Sequence, residues 1–162
     1  MKTIVSGIQP TGNLHLGNYL GAVKNWVELQ KSGEYNLHIF IADLHSLTGN
    51  RSAEERKEQI YITAAELLAC GIDPNKTTFW IQSHVSECTE LAWIFNTISP
   101  MAEVERMTQY KDKSKSQAKN VNVGLFTYPI LQAADILLYG GELVPVGKDQ
   151  IQHLEMAADI AQ

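Results

Sequence analysis

Three stretches of this chain gather side chains suited to holding a ligand. The first is Gly7-Ile8-Gln9-Pro10-Thr11-Gly12-Asn13-Leu14-His15-Leu16-Gly17-Asn18, which leaves a β-prone run and enters a helical pattern. A helix start at the carboxyl end of a strand offers free N–H groups and the positive end of the helix dipole, a natural anion site. His15 and Asn18 stand three residues apart and share a helix face, and both can donate to phosphate oxygens. Gly17 leaves the backbone open to a flat base or ribose. An ordinary strand–turn–helix accounts for Pro10, Gly12 and Asn13, but not for His15 together with Asn18. The stretch is not a Walker A loop, because it has no GxxxxGK[ST].

The second stretch is Tyr128-Pro129-Ile130-Leu131-Gln132-Ala133-Ala134-Asp135-Ile136-Leu137-Leu138, one carboxylate in an otherwise apolar helix. Burying a charge costs several kcal/mol unless it is paired. Asp135 therefore requires a partner, which can be a ligand donor such as an indole N–H or a neighbouring element that it caps or bridges. The residues alone leave those two readings open. Ala134 beside it leaves space for a large ring. The third stretch is Val144-Pro145-Val146-Gly147-Lys148-Asp149-Gln150-Ile151-Gln152-His153. Here Gly147 allows close backbone approach, Asp149 can accept from a ribose hydroxyl, and Gln150 can bond an amino or carboxylate group. A capped helix start, with Asp149 as its early acid, is the plainer alternative.

Alternating strands and helices must place these stretches. Short β-prone runs are predicted at 3–6, 37–42, 78–82 and 143–146. Helical spacing is predicted over about 16–30, 53–70, 87–98, 101–109, 124–139 and 149–162. Ser52 and Glu55 form a capping box, and Gly71 is a helix stop. The order predicts an α/β fold, a doubly wound parallel sheet covered on both faces. No internal repeat or linker interrupts it, and residues 111–122 read as a polar loop.

Composition sets limits. Hydrophobic residues are 44% and charged residues 19% of 162, enough for a core and unlike a disordered chain. The formal charge is −5, from 13 basic and 18 acidic residues, so a main nucleic-acid surface is expected elsewhere. No apolar run reaches the roughly 18 residues of a membrane span, and the N-terminus reads as a strand rather than a signal peptide. Cys70 and Cys88 form no CxxC pair, which fits reduced thiols and a cytoplasmic location.

The first stretch resembles the HIGH motif of class I aminoacyl-tRNA synthetases, in the HxGN form common among the tryptophan-type enzymes. A small nucleotidylyltransferase would share a related element. The second stretch resembles the tryptophan-binding helix of that family, and the third its VPVGxDQxQH segment. Together they identify the chain as a member of the tryptophan-type class I synthetases, with the Rossmann-like catalytic domain that this implies. The resemblance implies that residues 1–162 are the N-terminal part of that domain, without the KMSKS region and anticodon-binding domain.

It further implies ATP binding by Gln9, Pro10, Thr11, Gly17, Asn18, Gly147, Lys148 and Asp149, although Lys148 occupies a variable place and has no role of its own. It implies tryptophan binding by Asp135, Gln150, His45, Gly7, Gln132, Tyr128, Val144 and Val146. His15, Asn18 and Lys113 are the implied catalytic groups. Mg²⁺ arrives with the ATP, and no protein-bound metal is expected. The implied partners are L-tryptophan, ATP, tRNA(Trp) mainly through the other half, and a second copy of the chain, with the apolar helices near 87–109 as the dimer face. No membrane partner is expected.

The implied reaction is formation of tryptophanyl-adenylate followed by transfer to tRNA, with this chain alone deficient in it. A binding-only relative and a nucleotidylyltransferase are the rival classes. Lys113-Ser114-Lys115-Ser116 is not KMSKS, because it precedes the Asp135 helix. His84 and Cys88 lack two further ligands for zinc. Trp80 and Trp93 read as core residues.

Overall fold

The computed structural model describes residues 1–107 and 121–162. Three parallel strands form its sheet: β1 (Lys2–Ile8), β2 (Tyr35–Ile41) and β3 (Thr78–Ile81), in the order β1-β2-β3. The register pairs Ile4 with Leu37, Ser6 with Ile39, and Ile39 with Phe79. Both faces of the strands are covered, as parallel strands require. Ile4, Leu37, Ile39 and Ile41 pack on one side against Trp26, Val27 and Leu67. Val5 and Phe40 face the other side, where Trp80 and Tyr139 close over them.

The helical run expected over 16–30 is divided. It comprises α1 (Leu16–Asn18), a π-helical turn (Tyr19–Val23) and α2 (Lys24–Ser32), which ends at Gly33 in the left-handed conformation (φ 66°). Apolar spacing cannot distinguish a π-turn from α-helix here, because five residues span little more than one turn of either and show no period. After β2 come α3 (Asp43–Ser46) and α4 (Ala53–Ala69). The expected capping box is present: Glu55 N–H donates to Ser52 Oγ at 3.2 Å and Ser52 N–H to Glu55 Oε2 at 2.8 Å. Gly71, at φ 111°, follows the C-cap.

β3 leads into a 3₁₀ turn (Gln82–His84), then α5 (Glu87–Ile98) and α6 (Met101–Glu105). The chain resumes with α7 (Val123–Leu137), which carries Pro129 inside it, a single turn at Lys148–Gln150 and α8 (Ile151–Ile160). A second core joins α5, α7 and α8 through Cys88, Phe95, Ile130, Ala133, Ala134 and Met156. Among the described residues no helix is long and apolar enough to cross a membrane.

Two expectations need correction. The fourth strand, expected over 143–146, is a single parallel bridge between Leu143 and Ile4. Val5 N–H donates to Leu143 O at 3.1 Å and Leu143 N–H to Thr3 O at 3.1 Å. Pro145 then has no N–H to extend the ladder. Trp93 is not a core residue. It is 71% exposed on α5, because that helix turns its Cys88, Ala92 and Phe95 face inward instead.

Candidate active site

Leu143 lies beside β1, on the side away from β2, so the chain leaves β1 in both directions across the sheet. In such sheets ligands bind at the carboxyl ends of the strands where the winding reverses. A cavity of about 430 Å³ occupies that place. Its wall brings together the implied tryptophan-binding residues: Gly7 from β1, His45 from α3, Tyr128, Gln132 and Asp135 from α7, and Val144, Val146 and Gln150 from the segment after the bridge. Gln9 and Gly147, of the implied ATP-binding set, also line it. The sheet edge and α7 thus join residues more than 120 positions apart.

Gly7 is required by the floor of the cavity. A Cβ there would meet the Phe40 ring at 2.7 Å. Phe40 in turn stacks on Trp80 with ring centroids 5.3 Å apart.

Asp135 is 2% exposed and fully engaged by the protein. Gln82 Nε2 donates to both of its oxygens at 2.8 Å. Cys88 Sγ donates to Oδ1 at 2.9 Å, and His45 Nε2 to Oδ2 at 2.9 Å. A carboxylate accepts only, so His45 carries its proton on Nε2 at this contact. Gln82 Oε1 also accepts from Leu44 N–H at 3.1 Å, which ties the turn after β3 to α3. Burial pushes the Cys88 thiol far above its ordinary range, and the neighbouring Asp135 charge pushes it further. The open choice between ligand partner and bridging element is therefore settled in part, since Asp135 bridges α3, α5 and the turn after β3.

A second chain of bonds lies behind the cavity. Gln150 Oε1 meets His153 Nδ1 at 2.8 Å, and His153 Nε2 meets Tyr128 Oη at 3.3 Å. An amide oxygen accepts, so Nδ1 carries the His153 proton and Nε2 accepts from the tyrosine hydroxyl. Burial raises the Tyr128 hydroxyl well above its usual range, and the Asp149 charge adds to it. Burial likewise pushes Tyr139, across the sheet face, up to about 12.

The loop between β1 and α1 is built differently. His15 is the N-cap of α1, not part of the helix. Its Nδ1 accepts from Asn18 N–H at 3.2 Å, while Asn18 Oδ1 accepts from His15 N–H at 3.3 Å. This reciprocal pair leaves the proton of a neutral His15 on Nε2, pointing away from the cap. The space above Gly17 is filled by the His15 ring, since a Cβ on Gly17 would lie 2.9 Å from it. His15, Gly17, Asn18, Pro10 and Thr11 stand outside the cavity lining, as does Asp149. Asp149 accepts from Gln150 Nε2 at 2.8 Å and sits so close to Gly147 that a Cβ there would meet it at 2.6 Å. Lys148 occupies the backbone turn 148–150. Lys113, with the rejected Lys113–Ser116 run, lies outside the described residues.

The chain matches, over residues 1–162, the family model described as tRNA synthetases class I (W and Y). The chain belongs to this family. Among its relatives, the tryptophan–tRNA ligase of Gloeobacter violaceus is 55% identical over 161 residues, covering 99% of this chain and 47% of the relative. That of Clostridium tetani is 52% identical over 160 residues, with coverages of 99% and 47%. Tryptophanyl-tRNA synthetase from Campylobacter jejuni, solved with ADP and tryptophan, superposes with a TM-score of 0.88 at 47% identity, covering 99% of this chain and 49% of that one. The enzyme from Mycoplasma pneumoniae superposes with a TM-score of 0.92 at 42% identity, with coverages of 100% and 48%. The chain thus spans about half the length of the curated relatives it matches.

Sequence reasoning gave no role to Gln82 or His153 and read Cys88 as a reduced thiol and an unsupported metal ligand. Cys88 is spent on Asp135, and His84 is exposed. Gln82 and Cys88 carry no local signal, and His153 is visible only as the end of the third stretch. Only the requirement that buried Asp135 be paired could have prompted a search for Gln82 and Cys88, whereas His153 bonds Gln150 and Tyr128.

Proposed function

We propose that this chain supplies the tryptophan pocket and part of the ATP site of a tryptophan–tRNA ligase. The observation that carries the reading is the cavity at the winding reversal, walled by Asp135, Gln132, Tyr128 and Gln150 and floored by Gly7 over Phe40. The Campylobacter jejuni relative, solved with ADP and tryptophan, supports it. Tryptophan enters indole first, and its N–H takes over the Asp135 Oδ2 site that Gln82 and His45 now share. Gln150, held by His153, bonds the amino-acid end.

ATP, bringing its own Mg²⁺ as substrate, lies along the 9–18 loop and the Gly147–Asp149 turn. The tryptophan carboxylate attacks the α-phosphate, the bond to the β-phosphate breaks, and pyrophosphate leaves. His15 Nε2–H and the Asn18 amide stabilise the charge that develops. No covalent enzyme intermediate is needed, so catalysis is positioning and charge stabilisation. Lys113 adds a cation in this reading. The tryptophanyl group then passes to tRNA(Trp), which docks mainly outside this −5 chain. The reaction belongs to cytoplasmic protein synthesis.

A second copy of the chain covers the exposed apolar face of α5 and its continuation, formed by Trp93, Ile94, Ile98 and Met101. ATP–pyrophosphate exchange against each amino acid, on this chain and on the full protein, tests the reading. Tryptophan-dependent exchange by the full protein, with tRNA charging deficient in the 162-residue chain, is expected. Exchange driven by another amino acid would overturn the assignment. Tryptophan binding without exchange by the full protein would make it a binding-only relative.

A further inference from the structure

The loop between β1 and α1 has almost no regular structure of its own. It holds the Thr11 N–H to Gln9 O turn at 2.9 Å and Gly12 at φ 150°. Two side chains reach it from the α4 region. Arg51, just before the α4 N-cap, donates from Nη2 to Thr11 O. Glu66, within α4, accepts the Leu14 N–H on Oε2 at 3.0 Å in a half-buried contact. One grip is a cation on a carbonyl and the other a carboxylate on an amide, placed on either side of Gly12-Asn13.

The second grip fixes the peptide unit immediately before Leu14, whose side chain packs into the core beneath the loop. The next residue is His15, whose extended backbone (φ −100°, ψ 167°) lets its ring cap α1. Charge-assisted bonds of this kind are roughly twice as strong as neutral ones. A loop with so few internal bonds otherwise samples many shapes.

We propose that Arg51 and Glu66 are positioning residues that clamp the 9–18 loop from both sides and thereby set the place of His15. The proposal rests on the reading of that loop as the phosphate-handling element. Both clamps act through the backbone, so they tolerate sequence variation in the loop itself. A displacement of about 1 Å in a reacting group can cost a hundredfold in rate.

The test compares Glu66→Ala, Glu66→Gln, Arg51→Ala and His15→Ala in the full protein, by amide hydrogen exchange over residues 9–18 and by ATP–pyrophosphate exchange. Glu66→Ala and Arg51→Ala are expected to speed exchange in the loop and to lower kcat about ten- to a hundredfold, with the KM for tryptophan within about twofold of the parent. Glu66→Gln keeps an acceptor oxygen and stays near the parent in both. Unchanged loop exchange in both alanine variants overturns the clamp. So does a loosened loop with an intact kcat while His15→Ala is crippled. If His15→Ala itself leaves the rate intact, the phosphate reading of the loop fails, and the loop exchange still decides the clamp.

Discussion

The Asp135 pocket and the His15 loop differ in how they are held. Around Asp135 the polar groups are buried and bonded to one another: Asp135, His45, Gln82 and Cys88 are all under 10% exposed. In the loop His15 is exposed, and the bonds run through the backbone and local caps. The buried network has its geometry before any ligand arrives and costs much to disturb, because unpaired groups in low dielectric are expensive. The exposed loop costs little to alter, so its residues can change chemistry without endangering the fold. In the proposed function, recognition is therefore coupled to stability, whereas phosphate handling is not.

Removing the Asp135 carboxylate should disturb the pocket most strongly. Asp135→Ala should lower stability by about 3–5 kcal/mol, because removing one side of a buried charged network leaves its partners unpaired. The same variant should relax discrimination against phenylalanine, which offers no ring N–H. Asp135→Asn keeps an acceptor and should be milder in both respects. Urea unfolding and exchange assays with tryptophan, tyrosine and phenylalanine measure the two effects. Full stability in Asp135→Ala would erase the contrast between the regions.

His15→Ala should do the opposite. It removes an exposed donor together with the cap of the three-residue α1, so the adenylation barrier should rise by about 3–4 kcal/mol, with a stability loss of only about 1 kcal/mol. Exchange kinetics and urea titration on the full protein check it. A raised KM for tryptophan at an unchanged rate would move His15 into the recognition half.

The smallest effect concerns Cys88 and sharpens the picture of the pocket as dry. Burial and the Asp135 charge raise its folded pKa above the ordinary 9.0. A folded pKa raised in this way gives a contribution that is present below about pH 9 and is lost as pH rises above it, where the unfolded thiol ionises first. The stability of the parent should therefore fall more steeply above pH 9 than that of Cys88→Ala. A thiol reagent at pH 8 should label the half-buried Cys70 before Cys88. Equal labelling would mean that water reaches the buried network around Asp135.

The parallel α/β pattern, the capping box at Ser52 and Glu55, and the three stretches that carry the candidate chemistry are legible in the residues alone. These are local matters: apolar periodicity, cap residues and glycines act within a turn or two of themselves. The residues also show that a lone carboxylate in an apolar helix must find a partner. The identity of that partner comes from the fold, because Gln82 and Cys88 reach Asp135 across 53 and 47 residues of chain. Tertiary structure also reduced the fourth strand to one bridge, turned Trp93 outward and made His15 a cap with its proton directed away from the helix. Each outcome depends on which faces meet and which backbone groups are left to satisfy, and a one-dimensional pattern does not contain that information.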